Sequence, residues 1–142
     1  MSFSKQVKGF SDRTKAKINK VTRASIIDLG GSIIRGTPVG NPDLWKGTAP
    51  KGYVGGAARG NWFSTLHTKS GSEDEMRRAG EAVANLVSVA ARAPGNVFYL
   101  TNNLPYMGML EYEHWSVQAP TGMVRVNTDR FQSIVKQNLD SV

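Results

Sequence analysis

His67 and His114 are the only histidines in this chain, so any imidazole chemistry must run through one of them. Glu111, Glu113 and His114 place two carboxylates and an imidazole close together. Adjacent residues of an extended segment point to opposite sides, however, and no second histidine is near. The spacing matches no common metal site, which leaves a structural or surface role as the expectation. Glu73, Asp74 and Glu75 gather acid where general acid–base work would use it. They directly follow Ser72, with Glu75 three residues on, and a capped helix start explains that pattern better. Gly30-Gly31 and Gly55-Gly56 do not follow a strand and open a helix, so a phosphate cradle has little support. Neither a nucleophile elbow nor a Walker motif is present. With no cysteine there is no thiolate nucleophile, thiolate metal site or disulfide, and a reducing, intracellular folding environment is the simplest expectation. The expected inventory is no catalytic residue, no cofactor and no metal. A small hydrolase built on His67 or His114 would be excluded by activity that survives loss of both.

Charge and aromatic surface offer chemistry of another kind. Of the formal net charge of +7, residues 1–23 hold +6, as Lys5, Lys8, Arg13, Lys15, Lys17, Lys20 and Arg23 against Asp12 alone. Basicity thus belongs to one segment and not to the fold as a whole. Three readings stay open for it: a solvated helix face, a phosphate-facing surface, or contacts to an acidic partner. The candidate phosphate or acidic-partner contacts are Lys5, Lys8, Arg13, Lys15, Lys20 and Arg23. Residues 99–123 carry Tyr106, Met107, Met109, Leu110, Tyr112, Trp115 and Met123 where a polar connector would ordinarily run. This stretch either folds back on the core or meets another chain.

The elements that hold these groups follow from period and punctuation. Phe3, Val7, Phe10, Thr14, Ile18, Val21 and Ser25 recur at helical spacing, which predicts a long amphipathic helix over about residues 4–32. Seven glycines and three prolines in residues 36–60 predict a long loop. Leu44, Trp45 and Tyr53 either pin that loop to its own domain or are ordered by a neighbouring subunit. Residues 59–68 read as a strand with Trp62, Ser64, Leu66 and Thr68 on one face. A helix is expected from the Ser72 cap to about residue 92, burying Met76, Ala79, Val83, Leu86, Val87 and Ala90, and Pro94-Gly95 ends it. Residues 96–101 read as a central strand and 123–126 as another. Asn127 or Thr128 then starts a last helix with Phe131, Ile134, Val135 and Leu139 inward. The 142 residues make one α+β domain: an N-terminal helix over 1–34, an extended Gly/Pro-rich loop over 36–60 and a sheet–helix core over 61–142. The sheet is expected to be small, mostly antiparallel, of three or more strands, and packed on a central and a C-terminal helix. No run reaches the ~20 apolar residues of a membrane helix, and no membrane partner is expected. The N-terminus lacks the layout of a secretory signal.

Three stretches together resemble the tail-completion, or head–tail joining (neck), proteins of long-tailed bacteriophages. They are Arg35-Gly36-Thr37-Pro38-Val39-Gly40-Asn41-Pro42-Asp43-Leu44-Trp45-Lys46 with Gly52-Tyr53-Val54-Gly55-Gly56; Arg59-Gly60-Asn61-Trp62; and Asn102-Asn103-Leu104-Pro105-Tyr106 with Leu110-Glu111-Tyr112 and residues 116–124. The likeness spans about residues 35–131. Glu113, His114 and Trp115 depart from it, being bulkier than the small residues common there. The resemblance implies a virion structural protein of the tail and neck, assembled in the host cytoplasm. It implies a homo-oligomeric ring, commonly of six copies, between head connector or adaptor proteins and the tail tube or tail terminator protein. DNA would pass through its channel without sequence recognition. A ring needs two different patches that meet. The candidate interface residues are Leu44, Trp45, Tyr53, Pro105, Tyr106, Leu110, Tyr112, Trp115, Gln118, Pro120 and Met123. A nucleic-acid-binding module using the basic N-terminal helix is the alternative.

Overall fold

Helix α1 (Phe3–Gly36) runs through the whole N-terminal segment in the computed structural model, which describes residues 2–40, 55–113 and 116–142. At 1.5 Å per residue its 34 residues span about 50 Å. The Ser2 hydroxyl caps it by accepting from the Lys5 N–H. The helix runs past the expected end near residue 32, and Gly30-Gly31 lie inside it. The reason is tertiary: a Cβ on Gly30 would stand 2.7 Å from a Leu86 methyl, so this glycine lets a second helix approach closely. That gain outweighs the ~1 kcal/mol of lost helix propensity.

The chain continues through a short helical turn α2 (Ala57–Gly60), strand β1 (Phe63–Leu66), helix α3 (Ala79–Ala90) and strand β2 (Phe98–Thr101). Three more helices follow: α4 (Met107–Tyr112), α5 (Val124–Thr128) and α6 (Phe131–Asp140). The strands pair antiparallel, with Phe63 opposite Thr101 and Leu66 opposite Phe98. The core lies between α1, α3 and the segment after β2. Ile34, Leu86 and Met123 are its largest fully buried apolar side chains, joined by Ile33, Trp62, Leu104, Met107 and Leu110. Each such side chain contributes about 1.5–3 kcal/mol when removed from water.

The mixed α/β composition, the long first helix and the antiparallel strand pair agree with the sequence reading. Several details differ. Among the described residues the sheet has two strands, not three or more. Residues 123–126, expected as a strand, open α5. Three successive N–H groups there, of Met123, Val124 and Arg125, point at the Glu111 carboxylate, and that acceptor stabilises a helix start. Helix α3 begins at Ala79 and not just after Ser72. Asp74 is held outside it because the Asn61 amide takes its N–H and donates to its C=O, both at 2.8 Å. Its buried face is Ala82, Leu86, Val89 and Ala90, while Met76, Val83 and Val87 are exposed. With Leu86 against Gly30, Ala82 one turn earlier falls on the same inward face and the two valines turn out. In α6, Ile134 is buried, whereas Phe131 and Leu139 remain exposed. Most of the expected Gly/Pro-rich loop (41–54) lies outside the described residues.

Candidate subunit interface

Among the described residues, Thr37, Arg59, Asn61, Trp62, Asn102 and Glu111 make bonds within the chain. The Thr37 hydroxyl donates to the Ile33 carbonyl at 2.7 Å and accepts from the Trp62 indole N–H at 2.8 Å. Arg59 Nε donates to the Thr37 carbonyl at 2.9 Å. The end of α1 is thereby tied to the Arg-Gly-Asn-Trp turn. Arg77 is buried, lies 3.9 Å over the Phe63 ring and donates to the carbonyls of Gly60 and Trp62. Burial lowers its pKa, an effect partly offset by Glu81 and Asp74. Asn102 donates to the Ala58 carbonyl at 2.8 Å.

Side-chain amides stand in for missing strands. Asn61 engages both backbone groups of Asp74, Asn85 those of Ser64, and Gln118 those of Val39, the last at 3.0 Å each way. Asn85 thus covers the edge of β1 that β2 leaves open.

Glu111 is the most buried charged residue among the described residues, at 6% exposure. One carboxylate oxygen accepts from Met123 N at 2.7 Å and Val124 N at 2.9 Å. The other accepts from Arg125 N at 2.9 Å and Arg125 Nε at 3.0 Å. Burial pushes its pKa up, but the bonds from Arg125, Val124 and Met123 outweigh that and hold it below the ordinary value. Gly122, at φ +84°, makes the clamp possible, since a Cβ there would stand 2.7 Å from the Glu111 carboxyl group.

The candidate interface residues therefore divide. Leu110 and Met123 lie in the chain's own core, which corrects their placement on a surface. Tyr106 is half-buried against that core. Pro105 and Pro120 are exposed. Gln118 is exposed, but its amide is bonded to Val39. Tyr112 is 63% exposed, with the Arg125 guanidinium 4.5 Å over its ring. Leu44, Trp45, Tyr53 and Trp115 lie outside the described residues, as does His114. His67 is exposed in the turn after β1, at φ +69°.

The larger unpartnered surface is one the interface expectation missed. Contacts between α6 and α1 run from Arg130–Ser32 to Asn138 beside Ser25 and Asp28, so α6 lies antiparallel along the second half of α1. The first half projects past it. Phe3 (80% exposed), Val7, Phe10 (66%) and Ile18 form an open stripe there, in line with buried Val21 and Ser25. Lys5, Lys8, Arg13, Lys15 and Lys20 are exposed on the same arm, and Arg23 is half-buried at its base. Lys8 pairs with Asp12 one turn on, at 2.8 Å. The periodicity marks these apolar residues as inward-facing; the end of α6 leaves them uncovered among the described residues. The outer flank of α3, with Val83 and Val87 and the small residues Gly80, Ala84 and Ala91, is a second exposed apolar strip.

A groove of about 370 Å³ between α1 and α6 is lined by Asp28, Ser32, Arg35, Arg130, Ile134 and Gln137. Among the described residues no group of three or more His, Cys, Asp or Glu side chains could hold a metal, and no helix is long and apolar enough to cross a membrane. No protein-family model, curated protein or solved structure matches this chain.

Proposed function

We propose that this chain is a structural subunit of a phage neck, which completes the tail and joins it to the DNA-filled head as a closed ring around the DNA channel. One observation carries the reading furthest: an exposed apolar stripe on a projecting helix attached to a well-packed body. Phe3, Val7, Phe10 and Ile18 together offer on the order of 400 Å² of apolar side chain, as much as a soluble monomer ordinarily tolerates in one patch. The motif likeness supports the same assignment and supplies the setting in the virion. Its partners are then other copies of itself, head connector or adaptor proteins, and the tail tube or terminator protein. Particles lacking this chain should accumulate filled heads and free tails. Restoring the full chain should rejoin them, and restoring it without residues 2–18 should not. Normal tail attachment in its absence would overturn the proposal.

The exposed cations of the arm favour a second reading, a nucleic-acid-binding module. It predicts DNA affinity that falls steeply with salt as counterions are released. The aromatic stripe counts against it, because phosphate would leave Phe3 and Phe10 in water. A titration at two salt concentrations decides, and no binding at low salt ends this reading.

A further inference from the structure

We propose that the α1 arm docks in trans along the outer flank of α3 in an adjoining copy, with its cations against the acidic segment 73–81. The pairing rests on the ring reading and names the surfaces that would close the ring. Three observations support it.

The arm's stripe is narrow, recurring at spacings of three and four as in Phe3, Val7, Phe10 and Thr14. A seam one side chain wide suits a single facing helix. Its flanks are strongly cationic, so two arms would repel each other and the partner must be acidic. Glu73, Asp74, Glu75 and Glu81 are four of the chain's 11 acids within nine residues, and all four are exposed. The stretch also holds two arginines. Arg77 is buried against Phe63 and bonded to backbone carbonyls, and Arg78 is half-buried and donates to the Glu75 carbonyl, so the exposed side chains there remain mainly acidic.

Beside these acids, α3 turns Val83 and Val87 (46% exposed) outward and buries Ala82 and Ala90 instead. Gly80, Ala84 and Ala91 make that flank smooth enough for a second helix to lie close. The two surfaces cannot meet within one molecule. Helix α1 is continuous and is fixed to α3 at Gly30, which leaves Phe10 about 30 Å away along a rigid rod. An arm on one side and its receiver on the other is a heterologous pair, the kind that closes a ring.

The absence of cysteine makes the test clean. Full-length Phe10→Cys and Val87→Cys chains, differently tagged, would be mixed and treated with a short bis-maleimide. The expected product is a covalent dimer holding one of each. Rings that form without that product, or that yield only Phe10→Cys homodimers, overturn the pairing and leave the ring reading standing. A full-length chain that stays monomeric at every concentration removes both. Charge reversal supplies an independent arm. Glu73→Lys with Glu75→Lys should weaken self-association about fivefold or more at moderate salt. Adding Lys5→Glu and Lys15→Glu should restore it, and failure to restore it overturns the charge pairing.

Discussion

Replacing Glu111 by glutamine tests whether one buried carboxylate holds the start of α5 against α4. The carboxylate accepts four hydrogen bonds, two at each oxygen. A glutamine amide has one acceptor atom, so its NH2 group would face two N–H donors whichever way it turned. Keeping the amide oxygen on buried Met123 and its neighbour Val124 leaves the NH2 group against Arg125, so the two bonds lost are those from Arg125 N and Arg125 Nε. Each is worth about 1.5–3 kcal/mol. The Arg125 side chain is half-exposed and recovers part of its loss from water, which brings the expected cost to about 3–4 kcal/mol. For a chain of this length that is a fall in melting temperature of about 10 °C, read by far-ultraviolet circular dichroism. The pH dependence has a definite sign. The folded pKa of Glu111 lies below its ordinary 4.5, so the folded state holds fewer protons than the unfolded one as pH falls past that value. The clamp's stability is therefore full above the ordinary carboxylate range and lost as pH falls through the folded value. The gap between wild type and Glu111→Gln should narrow from about pH 7 to about pH 3. Equal melting at neutral pH, or a gap that widens in acid, would refute the clamp.

Three further substitutions probe the packing that sets the arm's direction. Gly30→Ala should destabilise by about 1–3 kcal/mol in chemical unfolding, because its methyl meets fully buried Leu86. Gly31→Ala meets only the far end of the Arg35 side chain and should stabilise by up to about 1 kcal/mol, so equal effects at the two glycines would contradict the assigned α1–α3 contact. Trp62→Phe keeps most of the buried ring but removes the indole bond to Thr37, and should cost about 1–2 kcal/mol in the same assay. An unchanged unfolding midpoint would show that this bond does not tie α1 to the turn.

Local pattern revealed some of this fold and concealed the rest for identifiable reasons. Helix α1 was legible from Phe3 to Ser25 because its period is unbroken, and the strand pair was legible from two short apolar runs between turn signals. The start of α3 was not, because the Ser72 cap signal is genuine chemistry that loses to contacts made by Asn61 and Arg77. Helix α5 reads as a strand because Met123–Val126 is a short, mostly apolar run after a Pro/Gly turn, and its helix-starting acceptor is Glu111, twelve residues earlier in sequence. Leu110 and Met123 carry the bulk expected of interface residues, but bulk alone does not distinguish a surface from a core. The exposed flank of α3 was hidden by the same ambiguity: Val83 and Val87 fit a buried face until the helix start and the Gly30 contact fix its rotation. The arm's exposure depends on where α6 ends, which no local period encodes.

Sedimentation of the full chain beside a chain lacking residues 2–18, with electron microscopy of the heavier fraction, bears most directly on the role assigned to the arm. The expected outcome is one closed annular species for the full chain and a folded monomer for the shortened one. A full chain that sediments as a monomer at every concentration, or a shortened chain that forms the same annulus, would contradict it.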